Sequence, residues 1–138
     1  MLPTAEPKAA ERLRILVAED DDETRALLIE GLELEGHHAV DLEDGFELGD
    51  YLELSNRQVS RRLQPDVIIT DFQMPGRTGL DILVEARAKG LTCPFIVISA
   101  FADENLRAAV QALGPTYVLQ KPFDLEEVVA LVAQVVCP

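Results

Sequence analysis

Glu19-Asp20-Asp21-Asp22-Glu23, Asp71, Ser99 and Lys121-Pro122 each follow a short apolar run, the last after an intervening Gln120. Several carboxylates crowded together repel, and a hard cation with oxygen ligands relieves that repulsion. Mg²⁺ typically takes one or two protein carboxylates, a carbonyl, waters and a phosphate oxygen. A carboxylate left beside such an ion can act as a nucleophile, as in aspartyl-phosphate formation. A lysine ammonium and a serine hydroxyl suit the remaining phosphoryl oxygens, where they stabilise charge during in-line transfer. The set points to phosphoryl chemistry on a divalent metal. Taken singly, each residue has a plainer role. Glu19 and Asp20 can cap a helix and complement its dipole, which is the reading adopted for Asp21, Asp22 and Glu23. Asp71, ahead of Met74-Pro75-Gly76, can be a turn residue, Ser99 a satisfied buried hydroxyl and Lys121 a solvated charge. Their joint occurrence at strand ends is what argues for a site.

The elements that must position these residues alternate along the chain. Ile15–Ala18, Val67–Thr70 and Phe95–Ser99 are too short for helices and rich in β-branched residues, as strands buried on both faces would be. His38–Leu42 and Tyr117–Leu119 are more mixed and suit sheet edges. Helical patterns fill the gaps: Glu23–Glu35, Phe46–Leu63, Leu80–Lys89 closed by Gly90, Asp103–Leu113 closed by Gly114, and Leu125–Val136. The last opens at Asp124 with Glu127 three residues on, a capping-box spacing. In the second helix Leu48, Leu52, Ser55, Val59 and Leu63 form one stripe, with Arg57, Arg61 and Arg62 on another side. A β-α unit repeated five times predicts an α/β fold, a doubly wound parallel sheet with helices on both faces. In such a sheet ligands bind beyond the carboxyl ends of the strands, where the polar residues above are placed.

Composition narrows the function further. Twelve Lys plus Arg against twenty-five Asp plus Glu give a net charge of −13 over 138 residues. That charge repels polyphosphate and anionic lipid, so neither nucleic acid nor a membrane surface is expected as a partner. Protein partners and cations are expected instead. Residues 1–13, with Pro3 and Pro7, lack apolar periodicity and read as a flexible leader ahead of one domain over 14–138. No secretion signal is evident, and a cytoplasmic location is expected. Cys93 and Cys137 form no disulfide framework and have no ligand spacing. His37-His38 precedes the second strand as a turn without a third metal ligand nearby.

The stretches Ile15-Leu-Val-Ala-Glu-Asp-Asp21, Val67-Ile-Ile-Thr-Asp-Phe-Gln-Met-Pro-Gly76 with Gly79-Leu80, Val97-Ile-Ser-Ala100 and Gln120-Lys-Pro-Phe123 carry a resemblance. From about Leu13 to Val136 the chain resembles the receiver domain of bacterial two-component response regulators, the chemotaxis receiver included. The resemblance implies a flavodoxin-like (βα)5 fold with strand order 2-1-3-4-5. It implies that Asp71 is the phosphoacceptor, that Asp20 ligates Mg²⁺ directly and that Glu19 holds the ion through water. Gln73 would supply its backbone carbonyl to the metal, Ser99 would bind the phosphoryl group and relay its presence, and Lys121 would pair with it. A cis Lys121-Pro122 bond is implied as well. The partners implied are a histidine kinase or histidine phosphotransfer protein and a downstream protein target or output domain. A homodimer through the fourth helix, fifth strand and fifth helix is also implied.

The chain departs from the family pattern in places. Val118 stands where many receivers have a switch aromatic, and Tyr117 beside it belongs to the opposite strand face. Phe101, two residues beyond Ser99, is bulky at a position that tunes access to the phosphoryl group in the family. The second helical segment exceeds the usual length by roughly seven residues, about two turns, which preserves its buried face. Two rivals remain. A haloacid-dehalogenase-like phosphatase also uses an aspartyl nucleophile after a strand, but it carries a second Asp two residues on, where this chain has Gln73. A receiver-like binding module that is never phosphorylated would lack one or more of the site residues. The expected function is a signalling switch, catalysing only its own phosphorylation and dephosphorylation. Its final helix is apolar around most of its circumference and is expected to expose a surplus, with Val129 outward.

Overall fold

The computed structural model describes residues 12–56 and 63–136. Five strands alternate with five helices: β1 (Arg14–Ala18), α1 (Asp22–Leu34), β2 (His38–Leu42), α2 (Gly45–Asn56), β3 (Val67–Asp71), α3 (Gly79–Ala88), β4 (Phe95–Ser99), α4 (Glu104–Gln111), β5 (Thr116–Gln120) and α5 (Leu125–Val136). The strands form one parallel sheet in the order β2-β1-β3-β4-β5. All carboxyl ends therefore lie along one edge.

Each side of the sheet is covered by a different set of helices because side chains alternate along a strand. Leu16, Ile68 and Val97 pack with Leu48, Ile82, Leu83 and Val110 from α2, α3 and α4. Ile15, Val17, Ile69, Ile96 and Ile98 pack with Leu28 and Leu32 of α1 and Val128 and Val132 of α5. The middle strands β3 and β4 are buried at every position. That two-sided burial explains their unbroken apolar runs, whereas β5 on the edge is partly exposed.

Local chemistry sets the helix boundaries. Asp21 caps α1 by accepting from Thr24 N, and Asp103 caps α4 by accepting from Leu106 N. Thr78 opens α3 with a reciprocal box, its side chain bonded to Asp81 N and Asp81 bonded back to Thr78 N. Such caps each contribute about 1 kcal/mol. Of the expected box at α5, Asp124 N donates to Glu127 Oε1 at 2.8 Å. Gly90 and Gly114, at φ of 90° and 89°, turn the chain after α3 and α4 in the left-handed region that a side chain would strain.

Three expectations need correction. The α-helix expected to reach Leu63 is not seen there: α2 is described from Gly45 to Asn56, and Leu63 is not α-helical, two residues ahead of Pro65, which disfavours helix in the residue before it. Residues 57–62, and with them Arg57, Arg61, Arg62 and Val59, lie outside the described residues, as do most of the expected leader and Cys137. His38 belongs to β2 rather than to the turn, and both histidines are half-buried, His37 Nδ1 accepting from Leu13 N at 3.4 Å. Val129 is half-buried, and α5 packs beside α1 on their shared face of the sheet, where Leu125 fills the space a side chain at Gly31 would need. Among the described residues no helix is long and apolar enough to cross a membrane.

Candidate functional site

The sheet edge gathers the charged residues. β1 ends at Ala18, so Glu19 falls at the mouth of the sheet with its side chain 1% exposed and its N–H donating to Leu42 O at 3.2 Å. Its Oε2 accepts from Asp21 N at 3.0 Å. Its Oε1, also buried, makes no hydrogen bond and lies 3.3 Å from Lys121 Nζ. Asp71 closes β3, nearly buried, with Oδ2 3.2 Å from the same ammonium. Asp20 stands exposed between Glu19 and the α1 cap, and one carboxylate oxygen from each of Glu19, Asp20 and Asp71 falls within 4.8 Å of the others.

The backbone around this cluster is tightly determined. Phe72 N donates to Ile98 O at 2.7 Å, and Lys121 N donates to Ser99 O at 2.8 Å, so the ends of β3, β4 and β5 are joined beyond their strands. The Lys121-Pro122 bond is cis. Thr70 Oγ1 donates to Asp71 O at 3.0 Å. Gly79 packs against that same carbonyl: a Cβ there would stand 2.6 Å from Asp71 O, so the start of α3 can approach β3 only without a side chain. Gln73, Met74, Pro75, Thr78 and Asp20 line a cleft of about 350 Å³ beside the acids.

Electrostatics follow from burial and crowding. Burial pushes the Glu19 carboxyl up to about 7, helped by the Asp71 charge and opposed by its bond from Asp21 N and by Lys121. Burial opposes the charge of Lys121, but Asp71 and Glu19 together hold it above its ordinary value. Asp21 is held low by its bonds to Thr24, as befits a cap. Partial burial pushes the Cys93 thiol up to about 11, which leaves it little thiolate near neutrality.

Glu19, Asp20, Asp71 and Lys121 thus converge, and Gln73 shares a cleft with Asp20. Ser99 stands one residue past Ile98, the strand partner of Asp71, and its Oγ accepts from Phe101 N at 3.1 Å instead of reaching another of the named groups. Phe101 is 84% exposed beside it. Val118 is half-buried against the α2-α3-α4 side, while Tyr117 is exposed on the other strand face. The residue sequence reasoning missed is Arg25, buried at the start of α1 with its guanidinium bonded to Glu19 O, Asp22 and Asp41. A signal for it existed, since a cation in the first turn opposes the helix dipole and so needs another reason to be there.

A divalent cation suits this set. Three carboxylates with oxygens within 4.8 Å of one another, one of them with a buried oxygen lacking a hydrogen bond, offer hard oxygen ligands in a crowded acidic pocket.

Comparison with known proteins gives a consistent answer. Residues 15–133 match the family described as the response regulator receiver domain. A probable transcriptional regulatory protein of Picosynechococcus is 34% identical over 131 residues, covering 94% of this chain and 51% of its own length. The transcriptional regulatory protein PdtaR of Mycobacterium tuberculosis is 33% identical over 128 residues, covering 92% of this chain and 58% of its own. The chain thus spans only half to three fifths of these relatives. The receiver domain of the Francisella response regulator 1452 superposes with a TM-score of 0.77 at 27% identity, covering 91% of this chain and 97% of that one.

Proposed function

The chain belongs to the response regulator receiver domain family, and from that membership we propose that it is a switch phosphorylated on Asp71. The observation that carries the proposal is one arrangement: Asp71, nearly buried at the end of β3, lies 3.2 Å from Lys121 Nζ and within 4.8 Å of carboxylate oxygens of Glu19 and Asp20. An Asp71 oxygen attacks the phosphorus of a phosphohistidine on a histidine kinase or histidine phosphotransfer protein. The P–N bond breaks as the O–P bond forms, and the imidazole leaves with the electron pair and takes up a proton. Asp20, Asp71 and the Gln73 carbonyl would hold Mg²⁺ directly and Glu19 through water. The ion, when bound, offsets the charge of the carboxylates that an incoming phosphoryl group must approach.

Lys121 shares its ammonium between Asp71 and Glu19 before transfer, and a phosphoryl oxygen takes over one of those pairings afterwards. Ser99 is the relay. Its Oγ accepts from Phe101 N, which leaves the hydroxyl proton to donate to a phosphoryl oxygen, so one group would join the phosphoryl site to the segment leading into α4. The phosphorylated state then changes affinity for a downstream protein target, an output domain or a second copy of the chain through the α4-β5-α5 face, in the cytoplasm. Residues 14–138 form the receiver domain in this reading. Intact mass spectrometry with an acyl phosphate donor tests the chemistry: one phosphoryl adduct is expected with Mg²⁺ and none once the metal is chelated. An equal adduct in chelator, or none in either condition, would overturn it.

A further inference from the structure

Arg25 is the fourth residue of α1, where a positive charge opposes the helix dipole, and it is only 8% exposed. Its guanidinium spends three donors on three different parts of the fold. Nη1 donates to the main-chain oxygen of Glu19 at 2.7 Å, Nη2 to Asp22 Oδ1 at 2.7 Å, and Nε to Asp41 Oδ1 at 2.5 Å. Asp41 sits in β2 opposite Val17 of β1, so one planar group joins the second strand, the first helical turn and the peptide between Glu19 and Asp20. That peptide determines where the Asp20 carboxylate starts and how the Glu19 side chain enters the buried pocket. Without the guanidinium, Glu19 O would lose the one bond described for it, and the Glu19-Asp20 peptide would be held only through its neighbours, by Glu19 N on Leu42 O and Asp21 N on Glu19 Oε2.

We propose that Arg25 is a positioning residue for the divalent-cation site, holding the Glu19-Asp20 peptide in the orientation that lets both carboxylates face Asp71. The inference rests on reading that shelf as the Mg²⁺ site. Arg25 touches neither the ion nor the phosphoryl group; it acts through the backbone, as outer partners of metal ligands commonly do. Lysine cannot substitute, because a single ammonium lacks the planar fork that reaches Glu19 O and the Asp41 carboxylate at once.

The test compares wild type, Arg25→Lys, Arg25→Ala and Asp22→Ala by Mg²⁺ titration calorimetry, with melting in chelator as the separate measure of folding. Asp22 is exposed, and removing it leaves the bond to Glu19 O in place, so Asp22→Ala is expected to bind Mg²⁺ within about twofold of wild type. Arg25→Lys and Arg25→Ala are expected to lose about tenfold in Mg²⁺ affinity. Their phosphorylation rate from an acyl phosphate is expected to need correspondingly more Mg²⁺ for half-saturation, with the rate at saturation largely restored. Should Arg25→Ala fail to fold, Arg25→Lys and Asp41→Ala, which removes the Nε anchor from outside the shelf, carry the test. A melting temperature that falls while Mg²⁺ affinity stays within twofold would make Arg25 structural only and overturn the proposal. A wild-type protein that binds no Mg²⁺ would instead bring down the reading of the shelf, and the two failures are told apart by which protein shows them.

Discussion

Glu19 holds its carboxyl against both burial and the neighbouring Asp71 charge, and its value of about 7 against an ordinary 4.5 makes stability depend on pH. The folded state binds this proton more tightly than the unfolded chain does. The associated stability is fully present below about 4.5 and is lost as pH rises through about 7, provided no cation occupies the site. In chelator, wild type is therefore expected to lose on the order of 1–3 kcal/mol between pH 5 and pH 8 that Glu19→Gln does not lose. Urea melts of the two proteins at both pH values measure this, and parallel pH dependence would contradict it. Saturating Mg²⁺ should remove most of the difference, because a cation favours the carboxylate that burial disfavours. This strain was not legible in the sequence, where a run of five acids reads as a solvated helix start. Only the strand before it and the α1 cap after it force Glu19 inward while Asp20 remains outside. Asp71 and Lys121 were legible because each follows an apolar run directly or nearly so. Arg25 was not, since its partners are six residues back and sixteen ahead, in elements whose pairing the pattern alone does not reveal.

Among the elements, β5 and α4 are the ones through which the proposed phosphorylation signal would pass. Val118, the residue three before Lys121, is half-buried with one stiff χ1 and no ring to move, while Tyr117 pairs with Ile96 on the opposite face. Activation is therefore expected without an inward swing of an aromatic on β5, and with displacement concentrated in Ser99 and the segment through Phe101. Comparing structures with and without a phosphoryl mimic checks this, and a large inward rotation of Tyr117 would contradict it. The strands were legible because burial on both faces forces continuous apolar runs in β3 and β4. The loss of α-helical geometry at Leu63 was not: a stripe that stays in phase through Leu63 conceals that Gln64 donates its side chain to Ser55 O at 2.6 Å and that Pro65 follows at once.

For the whole molecule, the parallel order β2-β1-β3-β4-β5 puts the acidic shelf at the carboxyl ends of β1 and β3, with α4 on one face of the sheet and α5 on the other. The exposed apolar residues of α5 are Ala130 and Ala133, among exposed Glu126, Glu127 and Gln134, with Tyr117 of β5 and Ala108 and Ala109 of α4 also exposed, while the larger apolar side chains of α5 lie against the sheet and α1. The apolar surplus expected on α5 is thus smaller than its composition suggests, because its neighbour α1 was not deducible from α5 alone. If this face is the output surface, Ala133→Glu should leave melting unchanged and weaken association or target binding by the phosphorylated protein, read by sedimentation or titration. Unchanged association and binding would place the output elsewhere. The acceptor itself is located by chemical trapping. After treatment with an acyl phosphate and Mg²⁺, borohydride reduction converts an aspartyl phosphate to homoserine, and tandem mass spectrometry locates the change. The change is expected on residue 71 alone, with no phosphoryl adduct on Asp71→Asn; a reduced residue elsewhere, or an undiminished adduct on Asp71→Asn, would contradict Asp71 as the acceptor.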